Sequence, residues 1–264
     1  MNSTKEIIEA PILHHEPLTA DVWRLDVLAP NLAKQAQPGQ FAMLRKKHGT
    51  HFLRRPLGIA FVDIVKGKVS FIYRLLGGGT HELATLRVGE TVNVEAPLGS
   101  QTFSLETGRS LLVGGGAGAA PLLFLAKVLA EKYKKPIILL GGRNAAETFW
   151  AELLAPYAEK IYLATDDGSK GFHGFVTGLL PKVWAQHAFS HIQTCGPTPM
   201  MFGVAKFAKA KGIPCEVSLE ARMACGFGVC LGCSFTGENS GKRRRVCADG
   251  PVFPAEEVFA CTID

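Results

Sequence analysis

The stretch Cys225-Gly226-Phe227-Gly228-Val229-Cys230-Leu231-Gly232-Cys233, answered by Cys247, leaves this chain the fewest options. Four of its seven cysteines stand here, spaced C-x4-C-x2-C-x13-C. Three thiolates on one loop and a fourth from a second segment is the spacing that holds a [2Fe–2S] cluster. Such a loop must turn tightly around the inorganic sulfides, and Gly226, Gly228 and Gly232 give its backbone that freedom. Two other readings compete. Zinc sites pair their cysteines as two short C-x2–4-C units, whereas here one side contributes a single Cys. Buried free cysteines would not need glycine-flanked positions. A one-electron carrier needs a donor and an acceptor, so the rest of the chain is expected to hold at least one of them.

Composition sets the frame. A chain of 264 residues can bury two modest cores with a small appendage for the cluster. An odd number of mostly clustered cysteines argues against a disulfide framework and for a reducing compartment. The start, Met1 to Glu6, has no basic region followed by an apolar core, and no apolar run approaches membrane-spanning length. The protein is therefore expected to be soluble, cytoplasmic and without a membrane partner. The net charge of +6 is mild. Its one dense basic run, Lys242-Arg243-Arg244-Arg245, reads either as a solvated loop or as a docking surface near the cluster. No aromatic residues interleave with it, which speaks against nucleic acid. The eight histidines show no metal-ligand spacing.

The first hundred residues read as all-β. Trp23, Leu25 and Val27 alternate, as do Val69, Phe71 and Tyr73, and then Val92 and Val94, with turn signals at Pro38-Gly39 and Pro97-Leu98-Gly99. Short strands at these intervals predict a small antiparallel barrel. Two of its stretches carry chemistry. In Arg54-Arg55-Pro56-Leu57-Gly58 a guanidinium at a proline-stiffened strand end suits a pyrophosphate. After Ile72-Tyr73-Arg74 comes Gly77-Gly78-Gly79-Thr80, in which Thr80 is expected to cap a short helix whose first N–H groups face an anion. Each is ordinary as surface taken alone; together they favour a bound flavin dinucleotide.

From about Leu105 the period changes. Leu111-Leu112-Val113 runs into Gly114-Gly115-Gly116-Ala117-Gly118-Ala119-Ala120-Pro121, after which Leu122, Leu125, Ala126 and Leu129 recur at helical spacing. Strand, glycine loop and helix in succession place a pyrophosphate at a helix N-terminus, although G-x-G-x-G-x-x-P departs from the usual fingerprint. Further strands are expected at Ile137 to Leu140, Ile161 to Ala164, His191 to Cys195 and Cys215 to Leu219. Asn144 with Glu147 forms a helix-starting pair. Alternation of this kind gives a parallel sheet, which binds ligands beyond the C-terminal ends of its strands. Those ends are Gly114 to Gly118, Gly141-Gly142-Arg143, Thr165-Asp166-Asp167-Gly168 and Cys195-Gly196-Pro197. Cys195 reads either as a small packing residue or as a group beside a nicotinamide ring. Cys215 and Cys261 read as structural. Arg143 stands where a 2′-phosphate would be read, and one Arg does not decide between NAD and NADP.

A flavin-type barrel, a G-x-G-x-G-x-x-P domain ending in Cys-Gly-Pro-x-x-Met and a C-terminal cluster motif together resemble the ferredoxin–NADP reductase superfamily. Within it the chain resembles the electron-transfer subunits of the dihydroorotate dehydrogenase B family, over nearly its whole length. The most specific stretches are Arg55-Pro56-Leu57, Ser218 to Gly226 (SLEARMACG) and Val246 to Phe253 (VCADGPVF). The resemblance implies three domains: an FAD-binding barrel at 1–104, a five-stranded parallel α/β NAD-binding domain at 105–214 and a [2Fe–2S] domain at 215–264. It implies FAD contacts from Arg55 to Gly58, Ile72 to Arg74 and Gly79-Thr80, and cluster ligation by Cys225, Cys230, Cys233 and Cys247. Gly58 departs from the pattern, because the family usually has Ser or Thr there. The reaction implied is dihydroorotate oxidation coupled to NAD+ reduction in pyrimidine biosynthesis. In that scheme an FMN-containing catalytic subunit, in a heterotetramer with two copies of each chain, passes electrons through the cluster and FAD to NAD+.

Three alternatives stay in view: a related reductase subunit of a sulfhydrogenase or glutamate synthase-like complex, a zinc-bearing interaction module, and an oxygenase reductase with FMN and a terminal ferredoxin domain. The last is disfavoured, since about forty residues after Cys225 are too few for a ferredoxin fold.

Overall fold

In a computed structural model of the chain, describing residues 5–105 and 107–261, the alternating stretches of the first hundred residues close into a barrel. The Met1–Thr4 part of the start lies outside the described residues. Six strands make the barrel: β1 (Glu6–Pro17), β2 (Val22–Leu28), β3 (Phe41–Lys46), β4 (Arg55–Asp63), β5 (Lys68–Arg74) and β6 (Thr91–Leu98). Their order is β1-β2-β5-β4-β3-β6, antiparallel throughout, and β6 pairs back onto β1. Closure leaves no unpaired edge. Leu25, Val27, Ile59, Phe71, Val92 and Val94 have no exposed surface and fill the interior. The expected turns are present, with Gly39 at φ +101° and Gly99 at φ +93°. Asp26 is buried between β2 and β5 but is paired with Arg24 and Lys68, each at 2.9 Å. Burial would raise its pKa, and these two cations with Ser70 overcome that and hold the carboxyl below its usual range.

The second half forms a seven-stranded sheet. Its strands are β7 (Ser110–Gly115), β8 (Ile137–Gly142), β9 (Lys160–Thr165), β10 (Phe172–His173), β11 (His191–Cys195), β12 (Cys215–Ser218) and, after a small hairpin of β13 (Ser234–Thr236) and β14 (Arg243–Arg245), β15 (Val252–Pro254). The order is β10-β9-β8-β7-β11-β12-β15. The five expected strands are its parallel centre; β10 extends it in parallel and β15 closes the other edge antiparallel. Strand order reverses between β7 and β11, the switch point where such sheets bind ligands. Leu111, Leu112, Val113, Ile137, Ile138 and Leu139 are fully buried, so both faces of the sheet are covered, as a parallel sheet requires. The helices Ala119–Lys132 and Thr198–Ala210 follow β7 and β11, and Leu122, Leu125, Ala126 and Leu129 of the first are buried as their spacing predicts.

The chain divides into two compact units rather than three. One comprises the residues up to Thr102 with Glu220–Ser234 and Arg245–Pro251; the other comprises Phe103–Leu219, Phe235–Arg244 and the residues from Val252 on. The expected cluster segment 215–264 is thus shared out. Its cysteine loop joins the barrel unit, where a Cβ on Gly226 would meet Met43 and Leu98. Phe253, Ala255, Val258 and Phe259 instead share an apolar cluster with Val217 and Met201 of the sheet unit, and Phe235 packs against it. The physical reason is size: about forty residues built around cysteine and glycine cannot bury a core of their own.

Candidate cofactor sites

In the barrel unit the two neighbouring arginines separate. Arg54 turns to the barrel wall, where its Nε donates to Asn93 Oδ1 at 2.8 Å and its guanidinium lies 3.4 Å from Glu95. Arg55, next along the chain, lies against the glycine turn after β5: a Cβ built on Gly79 would stand 2.7 Å from Arg55 Nε. Only a residue without a side chain allows that approach. Arg55 Nη2 donates to the Leu53 carbonyl at 2.7 Å, while its Nε is buried with no hydrogen-bond partner. A buried guanidinium N–H left unpaired is costly, and a bound phosphate oxygen would satisfy it. Pro56, Leu57 and Gly58 continue β4, with Gly58 opposite Phe41.

The segment following β5 differs from expectation in one respect. Gly77, not Thr80, is the cap of the helix Gly78–Ala84. Thr80 stands third in the helix, and its hydroxyl reaches back to accept from the amides of Leu76 (2.9 Å) and Gly77 (3.2 Å) and to donate to the Gly77 carbonyl (2.9 Å). Its role is to fix the glycine turn. The Tyr73 side chain is 2% exposed and its hydroxyl donates to His15 Nε2 at 2.8 Å, because His15 Nδ1 already donates to the Leu86 carbonyl. Burial lowers the His15 pKa, outweighing the Leu86 carbonyl that raises it, and keeps the ring neutral for this role. Ile72 is buried as well, and Arg74 pairs with Asp21 at 3.1 Å.

The cluster residues belong to the same unit and form two pairs. Cys225 Sγ accepts from the Cys230 amide at 3.5 Å, and Cys233 Sγ lies 3.2 Å from Cys247 Sγ. The loop between them needs Gly226 (φ +77°) and Gly228 (φ +92°), and Leu231 also takes a left-handed conformation (φ +61°). Burial raises the Cys225 thiol, but amides of Cys230, Phe227 and Val229 outweigh it and bring its pKa down to about 6. Cys225 is therefore a thiolate, the ligating form, near neutral pH. Burial and the neighbouring Cys233 push Cys247 up to about 12, so metal loading there must expel a proton. Among the described residues no three His, Cys, Asp or Glu side chains converge as they would on a single ion. Four cysteines from these two segments, with Cys233 and Cys247 sulfurs in contact and Cys225 held by loop amides, would suit an iron–sulfur cluster.

Arg245 joins the two segments that carry these cysteines. Its guanidinium clasps Asp249 through Nε (3.1 Å) and Nη2 (2.8 Å), its amide donates to the same carboxylate (2.8 Å), and its Nη1 donates to the Gly228 carbonyl at 3.0 Å. Arg244 pairs with Glu257 at 3.2 Å, while Lys242 and Arg243 are exposed, so half of the basic run is structural.

In the sheet unit, Gly114 stands near the end of β7, with Gly116 and Gly118 on the loop that follows, and Cys195 ends β11, with Gly196 and Pro197 following; Cys195 pairs with Gly114 across the ladder. The two loops touch backbone to backbone. A Cβ on Gly118 would come within 2.5 Å of the Cys195 carbonyl oxygen, and Gly196, at φ +153°, would place one 3.0 Å from the Gly115 amide. Gly116 (φ +55°) faces open space. The Cys195 side chain is fully buried. At the end of β8 the Arg143 side chain is engaged by Glu147, whose carboxylate also takes the Arg143 amide at 2.9 Å. Asn144 caps as expected, accepting from the Ala146 amide at 3.1 Å.

A family model described as the iron-sulfur cluster binding domain of dihydroorotate dehydrogenase B matches residues 220–259, which contain all four paired cysteines, Arg245 and Asp249. A protein of Aquifex aeolicus named dihydroorotate dehydrogenase B (NAD(+)), electron transfer subunit homolog, is 38% identical over 256 residues, covering 96% of this chain and 98% of the relative. The chain belongs to the dihydroorotate dehydrogenase B electron transfer subunit family. A member from Shouchella clausii is 40% identical over 243 residues, 88% of this chain and 90% of its own. Among solved structures, that of an NADH-dependent reduced ferredoxin-NADP oxidoreductase, described for flavin-based electron bifurcation, superposes with a TM-score of 0.85 at 32% identity, covering 98% of this chain and 91% of that one. Membership of this family carries the ferredoxin–NADP reductase-like barrel-and-sheet fold and an oxidoreductase role, and an electron transfer subunit implies a catalytic partner subunit. No helix among the described residues is long and apolar enough to cross a membrane.

Proposed function

We propose that this chain passes electrons from the FMN of a dihydroorotate-oxidising catalytic subunit through [2Fe–2S] and FAD to NAD+, in the pyrimidine pathway and in the cytoplasm. The observation that carries the reading is the pairing of Cys225 with Cys230 and of Cys233 with Cys247, inside the segment shared with the family's cluster domain. Flavin would supply the exchange between single electrons and a hydride. The chain's own residues do the holding. Arg55, with its unpaired Nε, and the Gly79-Thr80 turn suit the pyrophosphate of FAD, beside Pro56, Leu57 and Gly58. Ile72, Tyr73 and Arg74 support that turn from β5. Gly114, Gly116 and Gly118 with Cys195, Gly196 and Pro197 bring bare backbone to the switch point, where NAD binds in such sheets. Arg143, at the end of β8, is paired with Glu147, which accords with NAD. In functional terms we keep three parts, 1–104 for FAD, 105–214 for NAD and 215–264 for the cluster, although they fold as two units. The assembly proposed is a heterotetramer with two copies of each subunit.

Arg55→Gln tests the flavin contact. Losing a charge-assisted hydrogen bond to the pyrophosphate costs about 1.5–3 kcal/mol, roughly 10- to 100-fold in dissociation constant. The variant is expected to emerge from gel filtration depleted of FAD with its cluster intact, and full flavin retention would remove Arg55 from the site.

The reading as a whole is tested by purifying the native complex anaerobically and identifying its subunits. An FMN-bearing partner and NADH formation from dihydroorotate are expected. The likeness to the NADH-dependent reduced ferredoxin-NADP oxidoreductase favours one other reading, a reductase subunit of a different flavin and iron–sulfur complex, glutamate synthase-like or hydrogenase-bound. Co-purification with such a partner, and no turnover of dihydroorotate, would establish that one instead.

A further inference from the structure

The mechanism above uses the four thiolates and leaves Arg245 and Asp249 without a role. Yet among the described residues Arg245 makes side-chain hydrogen bonds to both segments that supply the cysteines. Through Nη1 it holds the Gly228 carbonyl, midway between Cys225 and Cys230, and through Nε and Nη2 it holds Asp249, two residues after Cys247. Asp249 in turn accepts from the Arg245 amide, closing the turn that presents Cys247. Gly228 is confined from the other side: a Cβ there would stand 2.7 Å from that of Ala248 and 3.2 Å from Arg245 Nη1. The Ala248 carbonyl accepts from Ser100 Oγ at 2.6 Å. The loop of three cysteines and the turn of the fourth are thus locked in register by protein groups alone.

From this geometry we infer that Arg245, clamped by Asp249, is a positioning residue of the cluster site: it holds the two ligand segments at their working separation and sets the charge beside the sulfurs. The inference rests on the cluster reading given above. Its electrostatic consequence has a sign. Cluster potential follows local charge and hydrogen bonding. Arg245 and Asp249 are a neutral pair; removing the cation leaves a carboxylate near the cluster and disfavours the more negative reduced state. Removing the carboxylate's charge leaves an uncompensated cation and favours it. A merely structural salt bridge would make the two losses equivalent.

The experiment compares the anaerobically purified complex carrying Arg245→Met, Arg245→Lys or Asp249→Asn with the wild type. Iron and acid-labile sulfide per chain, the rate of iron loss to a chelator, the paramagnetic resonance spectrum of the reduced cluster and its midpoint potential are measured. Arg245→Met is expected to lose iron at least tenfold faster, with altered g values and a lower midpoint, the range typical of lost outer-shell partners being about 10–100-fold. Asp249→Asn is expected to raise the midpoint. Arg245→Lys keeps the charge and should restore the potential while losing part of the chelator resistance. Unchanged FAD content in each variant reports an intact fold. Wild-type spectra, potential and chelator resistance in Arg245→Met would overturn the proposal, as would shifts of the same sign in Arg245→Met and Asp249→Asn. Should Arg245→Met fail to accumulate, faster iron loss at an unchanged midpoint in Arg245→Lys with a raised midpoint in Asp249→Asn supports the proposal, and wild-type chelator resistance in Arg245→Lys or a lowered midpoint in Asp249→Asn overturns it. Iron and sulfide in the wild type keep the cluster reading intact whatever the variants do, and a wild type holding zinc would sink both.

Discussion

Cys230→Ala is expected to empty the cluster site while leaving the flavin bound. Of the four candidate ligands, Cys233 and Cys247 are 4% and 1% exposed, so replacing either also opens a hole in packed surroundings. Cys230 is exposed and its side chain supports no core. Its removal therefore isolates ligation from folding. One of the two thiolate pairs becomes incomplete, and the Cys225 thiolate, held near a pKa of about 6 partly by the Cys230 amide, keeps its backbone donors but has no partner for the iron. Iron and sulfide should fall to background. Compared with wild-type protein stripped of its cluster, stability should differ by no more than about 0.5 kcal/mol, because the exposed Cys230 side chain itself supports no packing. NADH should still bleach the bound FAD, while electron exchange with the catalytic partner drops at least about 100-fold, the upper end of what even an outer-shell partner contributes. Iron content and both half-reactions on one preparation check this. Undiminished exchange with the partner would mean that electrons do not pass through this site.

How far the sequence led depended on whether local pattern or distant packing decided each feature. Alternation of Leu25 with Val27 and of Val69 with Phe71 was enough for the barrel, because a strand with one inward face must place alternate residues inside. Helical recurrence of Leu122, Leu125 and Leu129 likewise located the first helix of the sheet unit. The edge strands β10 and β15 run two and three residues, too short for any period, and they exist only because a parallel edge stands ready to pair. Tyr73 keeps the inward period of β5, and His15, lying 6.2 Å from the Tyr73 ring and 4.9 Å from that of Trp23, makes a cross-strand contact that no period announces. Thr80 carried the composition of a cap without its position, since Gly77 supplied the extended residue and left the hydroxyl to reach backward. The separate roles of Arg54 and Arg55 follow from adjacent residues facing opposite ways where the chain enters β4. Arg245 and Asp249 were legible only as an i,i+4 charge pair flanking Cys247, a spacing common on any surface. What gave that pair meaning, the grip on Gly228, spans seventeen residues and is a product of folding.

Gly118→Ala should weaken dinucleotide binding more than any charge removed from the sheet unit. The added methyl would stand 2.5 Å from the Cys195 carbonyl oxygen and 2.6 Å from its carbon. Those are backbone atoms of a central strand, fixed by pairing with β7 and β12, so they cannot swing aside as a side chain would. One loop must therefore shift. The loop after β7 runs directly into the helix Ala119–Lys132, so any displacement of it carries away the amides that open that helix at the switch point. Overpacking of this kind costs roughly 1–3 kcal/mol in stability, and moving the amides by a few tenths of an ångström should weaken NADH at least about tenfold, or 1.4 kcal/mol. Gly212→Ala is the control. Gly118 is at φ −62° and its variant meets only the collision, whereas Gly212 is at φ +64° with nothing near the new methyl, so there only backbone strain of about 1 kcal/mol is expected, with NADH affinity unchanged. Thermal melts and NADH titrations of the two variants separate strain from collision. Equal affinities would show that the contact between the two glycine loops is packing alone, and that the nucleotide is held elsewhere along the strand ends.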